Sequence, residues 1–118
     1  MIVGFRLSLL AEEDVIRIAE EGIAIFGLAQ AQKYHRELYE IFELISLNPR
    51  MARERHELLP PLRIHRFRAH LVVYGVGADD DVLIVRVRHA HEDWVNESQQ
   101  AGHARHHFAR QLAYASTP

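Results

Sequence analysis

The side chains best suited to chemistry here are arginines and histidines, and they are concentrated. Residues 49–70 hold six arginines and two glutamates, a net charge of +4, with His56, His65 and His70 among them. Arg53, Arg55, Arg63, Arg66 and Arg68 belong to this band, and Arg86, Arg88 and His89 form a second group further on. The planar fork of an arginine grips a carboxylate or a phosphate through two parallel hydrogen bonds. Such a band serves either as a docking surface for an anionic partner or as the solvated face of a strand. His89 and His91 stand two apart, so on a strand both would face one way and could begin a metal site. Two histidines do not complete one, and the chain has no cysteine to add a thiolate. No metal and no other cofactor is expected.

The rest of the chain is mostly acidic. Residues 1–48 carry four Arg/Lys against eight Asp/Glu, and residues 71–98 return to a net charge of −4. Residues 99–118 carry +2, which brings the whole chain to −2 with a sequence pI of about 6.5. A nucleic-acid-binding domain is usually basic as a whole, and this one is not.

These groups must be positioned by strands. Leu62–Phe67 alternates apolar and basic residues, the period of a strand with one wet face. His70–Val76 is β-branched and aromatic, the composition of a more buried strand. Val82–His89 is a third strand, reached through the turn cluster Gly-Ala-Asp-Asp-Asp at 77–81. Tyr74 reads as a core aromatic and His70 as a hydrogen-bonded structural histidine.

A sheet with one apolar face needs a covering layer. The first strand is expected at about residues 3–8. Ser8 is placed to cap a helix over about 10–26, with Glu12, Glu13 and Asp14 where the helix dipole favours acids. Gly27 ends that helix. A second helix over about 28–47 carries the stripe Tyr34, Leu38, Ile41, Phe42, Ile45 and stops at Asn48-Pro49. Two helices joined this closely pack as an antiparallel hairpin. Phe26, Leu38, Ile41, Phe42, Ile45, Val72, Tyr74 and Val85 are the expected core. Ile16, Ile23 and Ile25 fall off the core stripe of the first helix, and unexplained apolar surface marks an interface. Residues 50–61 read as a connecting loop.

With 118 residues the chain is one domain. No apolar run approaches the roughly 18 residues of a membrane helix, and no signal peptide is recognisable. A cytoplasmic protein with no membrane partner is expected. The domain spans 1–96, and 97–118 is a C-terminal extension, weakly helical or disordered, with Ala101, Ala104, Phe108 and Leu112 on one narrow stripe among His103, His106 and His107.

The order β-α-α-β-β-β resembles the ParE toxins of the RelE/ParE superfamily, the toxin half of bacterial type II toxin–antitoxin modules. The resemblance rests on Leu7-Ser8 with Ala11 and Asp14-Val15, and on Phe26-Gly27 with Gln30-Ala31 and Tyr34. It continues through Leu38, Leu44 and Asn48-Pro49, Arg53 and Arg55, Leu62-Arg63, 70–74, and Ile84-Val-Arg-Val-Arg-His89 with Asp93. It implies an α+β fold, a two-helix hairpin packed on a small twisted antiparallel sheet. It also implies a toxin that inhibits DNA gyrase, is relevant to plasmid stabilisation, and is neutralised by a ParD-like antitoxin. A homodimer within a toxin–antitoxin hetero-oligomer is possible on the same grounds.

The superfamily's other branch cleaves ribosome-bound mRNA. That chemistry needs a general base, cationic stabilisers and a general acid. Arg55, Arg63, Arg86, Arg88 and His89 would have to fill those roles. The acidic balance of the chain and the lack of a tyrosine in the residues that directly follow the last strand, where 89–93 reads His-Ala-His-Glu-Asp, favour a gyrase-binding inhibitor over a nuclease. Accordingly Arg53, Arg55, Arg63, Arg86, Arg88 and His89 are candidates for target binding. Ile16, Ile23 and Ile25 are candidates for antitoxin binding. No catalytic residue is assigned.

Overall fold

A computed structural model of the chain describes residues 4–91; the expected C-terminal extension lies outside the described residues. Its elements are β1 (Phe5–Leu7), α1 (Leu9–Phe26), α2 (Leu28–Leu47), β2 (Glu54–Arg55), β3 (Leu62–Phe67), β4 (His70–Val76) and β5 (Val82–His89), with a short 3₁₀ turn at Ala78–Asp80. The helices begin and end within a residue of where capping and periodicity put them.

Local chemistry sets those ends. Ser8 Oγ accepts a hydrogen bond from Ala11 N–H at 2.9 Å, which satisfies one donor of the first turn of α1. The same hydroxyl donates to the Val85 carbonyl at 2.7 Å, so the helix cap is tied to the last strand. Gly27 closes α1 and opens α2 with a φ of 89°. An L side chain rarely adopts that dihedral, so glycine is what allows the hairpin to turn in one residue.

The sheet has the order β1-β5-β4-β3-β2. Neighbours among β2, β3, β4 and β5 run antiparallel, as expected. β1 is the exception: it runs parallel to β5, Phe5 beside Val82 and Leu7 beside Ile84. The helical hairpin is the reason, because it returns the chain to β2 at the opposite edge and leaves β5 to come back beside β1. β2 was not expected. The loop 50–61 contributes two residues to the edge, pairing Glu54 with Arg63 and Arg55 with Leu62.

The helices cover one face of the sheet, and the loop after β2 covers part of the other. On one, Val72, Tyr74, Ile84 and Val87 pack with Ala11, Val15, Leu38, Phe42 and Ile45 from the helices. Phe42 is fully buried, and its ring meets Phe5 at 5.6 Å and Tyr39 at 5.0 Å between centroids. On the other face a smaller cluster joins Val73, Val85 and Leu62 under Leu58 of the loop. Seven of the eight expected core residues are buried or partly buried. Phe26 is the correction, at 69 % exposed. Periodicity gives the side of a helix that faces inward, not how far the layer beneath it extends. All of residues 23–30 are exposed, so among the described residues nothing packs over the turn end of the hairpin.

Candidate target-binding and partner-binding surfaces

The six arginine and histidine candidates do not form one site. Arg63 sits opposite Tyr74, which sits opposite Ile84; Arg86 is opposite Val73, Arg88 opposite Leu71, and His89 opposite His70. β5 thus carries its cationic group toward one end of the sheet, while Arg53, Arg55 and Arg63 lie toward the other.

Several are engaged within the fold. Arg86 is 13 % exposed and donates to Asp14 twice, Nε to Oδ2 at 2.8 Å and Nη2 to Oδ1 at 3.0 Å. Val87 N–H donates to the same carboxylate at 2.9 Å, and Arg17 reaches it from one turn further along α1. The geometry has a topological cause. β1 stops at Leu7, level with Ile84, so the outer edge of β5 beyond that point lacks a strand. Ser8 and Asp14 supply the missing partners, to the Val85 carbonyl and the Val87 N–H. An irregular step lies here too: Val73 pairs with Arg86 and Tyr74 with Ile84, leaving Val85 as the extra residue of a bulge.

Arg63 donates to the Ala52 carbonyl at 2.5 Å and pins the loop before β2. Arg55 pairs with Glu57 at 2.6 Å, and this contact holds the Glu57 carboxyl below its ordinary range. Arg53 is exposed. On the side of the sheet away from the helices, Arg66, Leu71 and Arg88 share one row, Leu71 between the two arginines. Arg66 was noted in the basic band, but its pairing across β4 with Arg88 depends on register, which spacing does not reveal.

A second region is built on the helix side. Phe67, His70 and His89 form a row across β3, β4 and β5. Tyr34 of α2 stands over it, its hydroxyl 2.7 Å from His70 Nδ1 and its ring 5.2 Å from Phe67. Burial pushes the Tyr34 hydroxyl up from its ordinary pKa. The phenol therefore stays protonated at neutral pH, within hydrogen-bonding distance of the His70 ring. His89 lies 5.4 Å from His70 and 5.0 Å from His91, and its Nδ1 accepts from the His91 N–H at 3.1 Å. Among the described residues no cluster of three or more metal-binding side chains accompanies them.

This row closes one end of a cavity of about 480 Å³ between the hairpin and the turn joining β3 to β4. Val15, Ile18, Ala19, Gly22, Ile25 and Leu38 make it largely apolar, with Arg68 and Glu21 also in its lining. Glu37 Oε1 lies 3.0 Å from Arg68 Nη2, an ion pair without hydrogen-bond alignment. The expected apolar surface is present, with Ile25 on the cavity's edge: Ile16 is 58 %, Ile23 45 % and Ile25 70 % exposed. Phe26 and Leu28 extend the patch around the hairpin turn. Among the described residues no helix is long and apolar enough to cross a membrane.

A two-helix hairpin on a five-stranded mixed sheet, with an apolar helical face left open, is the architecture expected of a RelE/ParE-like toxin. The comparisons agree. The family model for the ParE toxin of type II toxin–antitoxin systems matches residues 5–94. The chain is also 32 % identical over 68 residues to the protein named Toxin ParE1 of Mycobacterium tuberculosis, in strains CDC 1551 / Oshkosh and ATCC 25618 / H37Rv. Those alignments cover 58 % of this chain and 69 % of each relative. The chain belongs to the ParE toxin family of type II toxin–antitoxin systems, whose toxins pair with an antitoxin.

Proposed function

We propose that this toxin acts in the cytoplasm by binding DNA gyrase, without catalysis of its own, and that a ParD-like antitoxin silences it. The observation that carries the reading against a nuclease is the engagement of the arginines. A ribonuclease of this fold needs cations turned to a phosphate, yet the Arg86 guanidinium is bound to Asp14 and the Arg63 guanidinium to the Ala52 carbonyl. The proposed target surface is the sheet face away from the helices. There Arg88, in register with Arg66, adds charge around Leu71, and exposed Arg53 extends the surface at the far end. Arg55, Arg63, Arg86 and His89 support it by holding the loop and the strand edge in place.

The antitoxin is assigned to the other side. Ile16, Ile23 and Ile25 form apolar surface on α1 that the domain leaves uncovered. An amphipathic helix rich in leucine and acids fits such a face by docking its apolar stripe there. A homodimer contact through the same patch would be mutually exclusive with it.

The proposal is tested in cells. Induction should arrest growth, with DNA synthesis falling before protein synthesis, and co-expression of the antitoxin should restore division. Early loss of translation with cleaved messages would instead favour the mRNA interferase reading.

A further inference from the structure

We propose that two copies of the toxin, without antitoxin, pair through the side of the helical hairpin turned away from the sheet, α1 of one copy lying antiparallel on α2 of the other. The pairing rests on the shape and charge of the hairpin and not on the gyrase reading above.

This face is distinct from the cavity. On α1, Val15 and Ile18 turn into the core beneath the helices, and Ile18 and Ile25 line the cavity. Ile16, Ala19 and Ile23 follow at i, i+3 and i+7, one stripe on the opposite flank of the helix. A groove of about 340 Å³ opens there, and only helical residues line it, the small Ala19 and Ala31 among them.

The helices are level where they touch. A methyl group built on Gly22 would stand 3.4 Å from the Ala31 side chain. Because the helices run antiparallel, Ile23 is then level with Gln30, Glu20 with Lys33 and Ile16 with Glu37. A two-fold axis parallel to the helices keeps those levels and sets α1 of each copy on α2 of the other, the antiparallel order of a four-helix bundle. Ile23 falls between Leu28 and Gln32 of the second copy. Ile16 falls on its His35 and Tyr39, whose rings lie 4.9 Å apart. Ile16, Ile23 and Leu28 are all exposed in the single chain, and the pairing gives each of them cover.

Charge selects a second copy as the occupant. Glu20 lies one turn beyond Ile16 on α1, and Arg36 lies one turn beyond Gln32 on α2. Both are exposed, and among the described residues neither takes part in an ion pair. They stand on opposite shoulders of the face, so within one copy they diverge. Under the two-fold axis, Glu20 of each copy comes to the same edge as Arg36 of the other. Their levels differ by three residues, about 4.5 Å, which an arginine side chain spans. The pair forms twice, once on each rim, so the face is complementary to itself, and rim pairs of this kind fix partner and register. Ile16 and Ile23 are also assigned to the antitoxin, so antitoxin binding must part the two copies.

The full-length chain, purified without antitoxin, is weighed by sedimentation equilibrium at micromolar concentration. The proposal expects twice the 13.7 kDa of one chain. Glu20→Arg alone and Arg36→Glu alone each set like charges at both rims, and each should weaken association roughly tenfold or more. An equimolar mixture of the two variants restores opposite charges at both rims and should recover the double mass. Circular dichroism of each variant should match that of the unmodified chain. Single-chain mass for the unmodified toxin overturns the proposal, and that measurement stands even where a variant fails to fold. A double mass that neither reversal weakens overturns it too, because the copies then meet elsewhere. So does a mixture of folded variants that stays dissociated, because Glu20 and Arg36 then do not meet across the pair.

Discussion

Asp14 and Arg86 lie 72 residues apart and share two hydrogen bonds, 2.8 and 3.0 Å long. The carboxylate is 1 % exposed and also accepts from Val87 N–H. One acid thus closes the open edge of the last strand and neutralises an inward-reaching arginine. Removing one partner of a buried pair leaves the other charge uncompensated and costs roughly 3–5 kcal/mol. Asp14→Ala should lose stability of that size in urea unfolding. Arg17→Ala, whose side chain is half exposed, should lose less than about 1 kcal/mol.

Phe42 is the aromatic centre of the helix-side core, in ring contact with Phe5 and Tyr39. Phe42→Ala should cost roughly 3–5 kcal/mol, the usual loss for a large buried aromatic. Circular dichroism during thermal unfolding checks it, and a loss under about 1 kcal/mol would mean the site collapses to fill the hole.

The elements were legible in the sequence because each had a local cause. Ser8, Gly27 and Asn48-Pro49 mark helix ends by their own chemistry, and the alternation of Leu62–Phe67 is visible without a partner. What was not legible depends on register and on layer extent. Asp14 reads as an acid in a helical first turn until β1 is seen to stop at Leu7 and expose the β5 edge. Arg86 reads as one more surface cation for the same reason. The two arginine groups look adjacent along the chain's strands, yet the pairing across β4 carries them toward opposite ends. Ile16, Ile23 and Ile25 were identified as surface because a helical period is enough to show which residues miss the core stripe.

Burial raises the pKa of Tyr34, Tyr39 and Tyr74 above the ordinary value of 10.0. For each, the unfolded chain releases its phenolic proton at lower pH than the folded one. Their stabilising contribution is therefore complete below pH 10 and is lost as pH rises through the folded values. Chemical unfolding at pH 8 and pH 11 should show a lower midpoint at pH 11. Tyr74→Phe should reduce that difference, at the cost of the hydrogen bond from its hydroxyl to the Pro49 carbonyl at 3.0 Å.

Ile16, Ile23 and Ile25 should matter for binding and not for folding. Burying one such side chain at an interface contributes up to about 1.5–3 kcal/mol, and 1.4 kcal/mol is tenfold in affinity. Each change to serine should weaken antitoxin binding about tenfold or more by calorimetry, with the unfolding midpoint unchanged. Equal affinity for all three variants would move the antitoxin to another face.

The central claim is that the toxin acts on gyrase through a surface that includes Arg66 and Arg88. Its most direct measurement is DNA cleavage by purified gyrase with supercoiled plasmid and ATP, stopped with detergent and protease. Added toxin should cause linear DNA to accumulate with dose, and pre-mixing with antitoxin should abolish it. The doubly substituted Arg66→Ala, Arg88→Ala protein, folded and still bound by antitoxin, should leave the plasmid uncut. Plasmid that stays uncut with the unmodified toxin at saturating concentration, together with cleavage of ribosome-bound mRNA by the same preparation, would contradict the account.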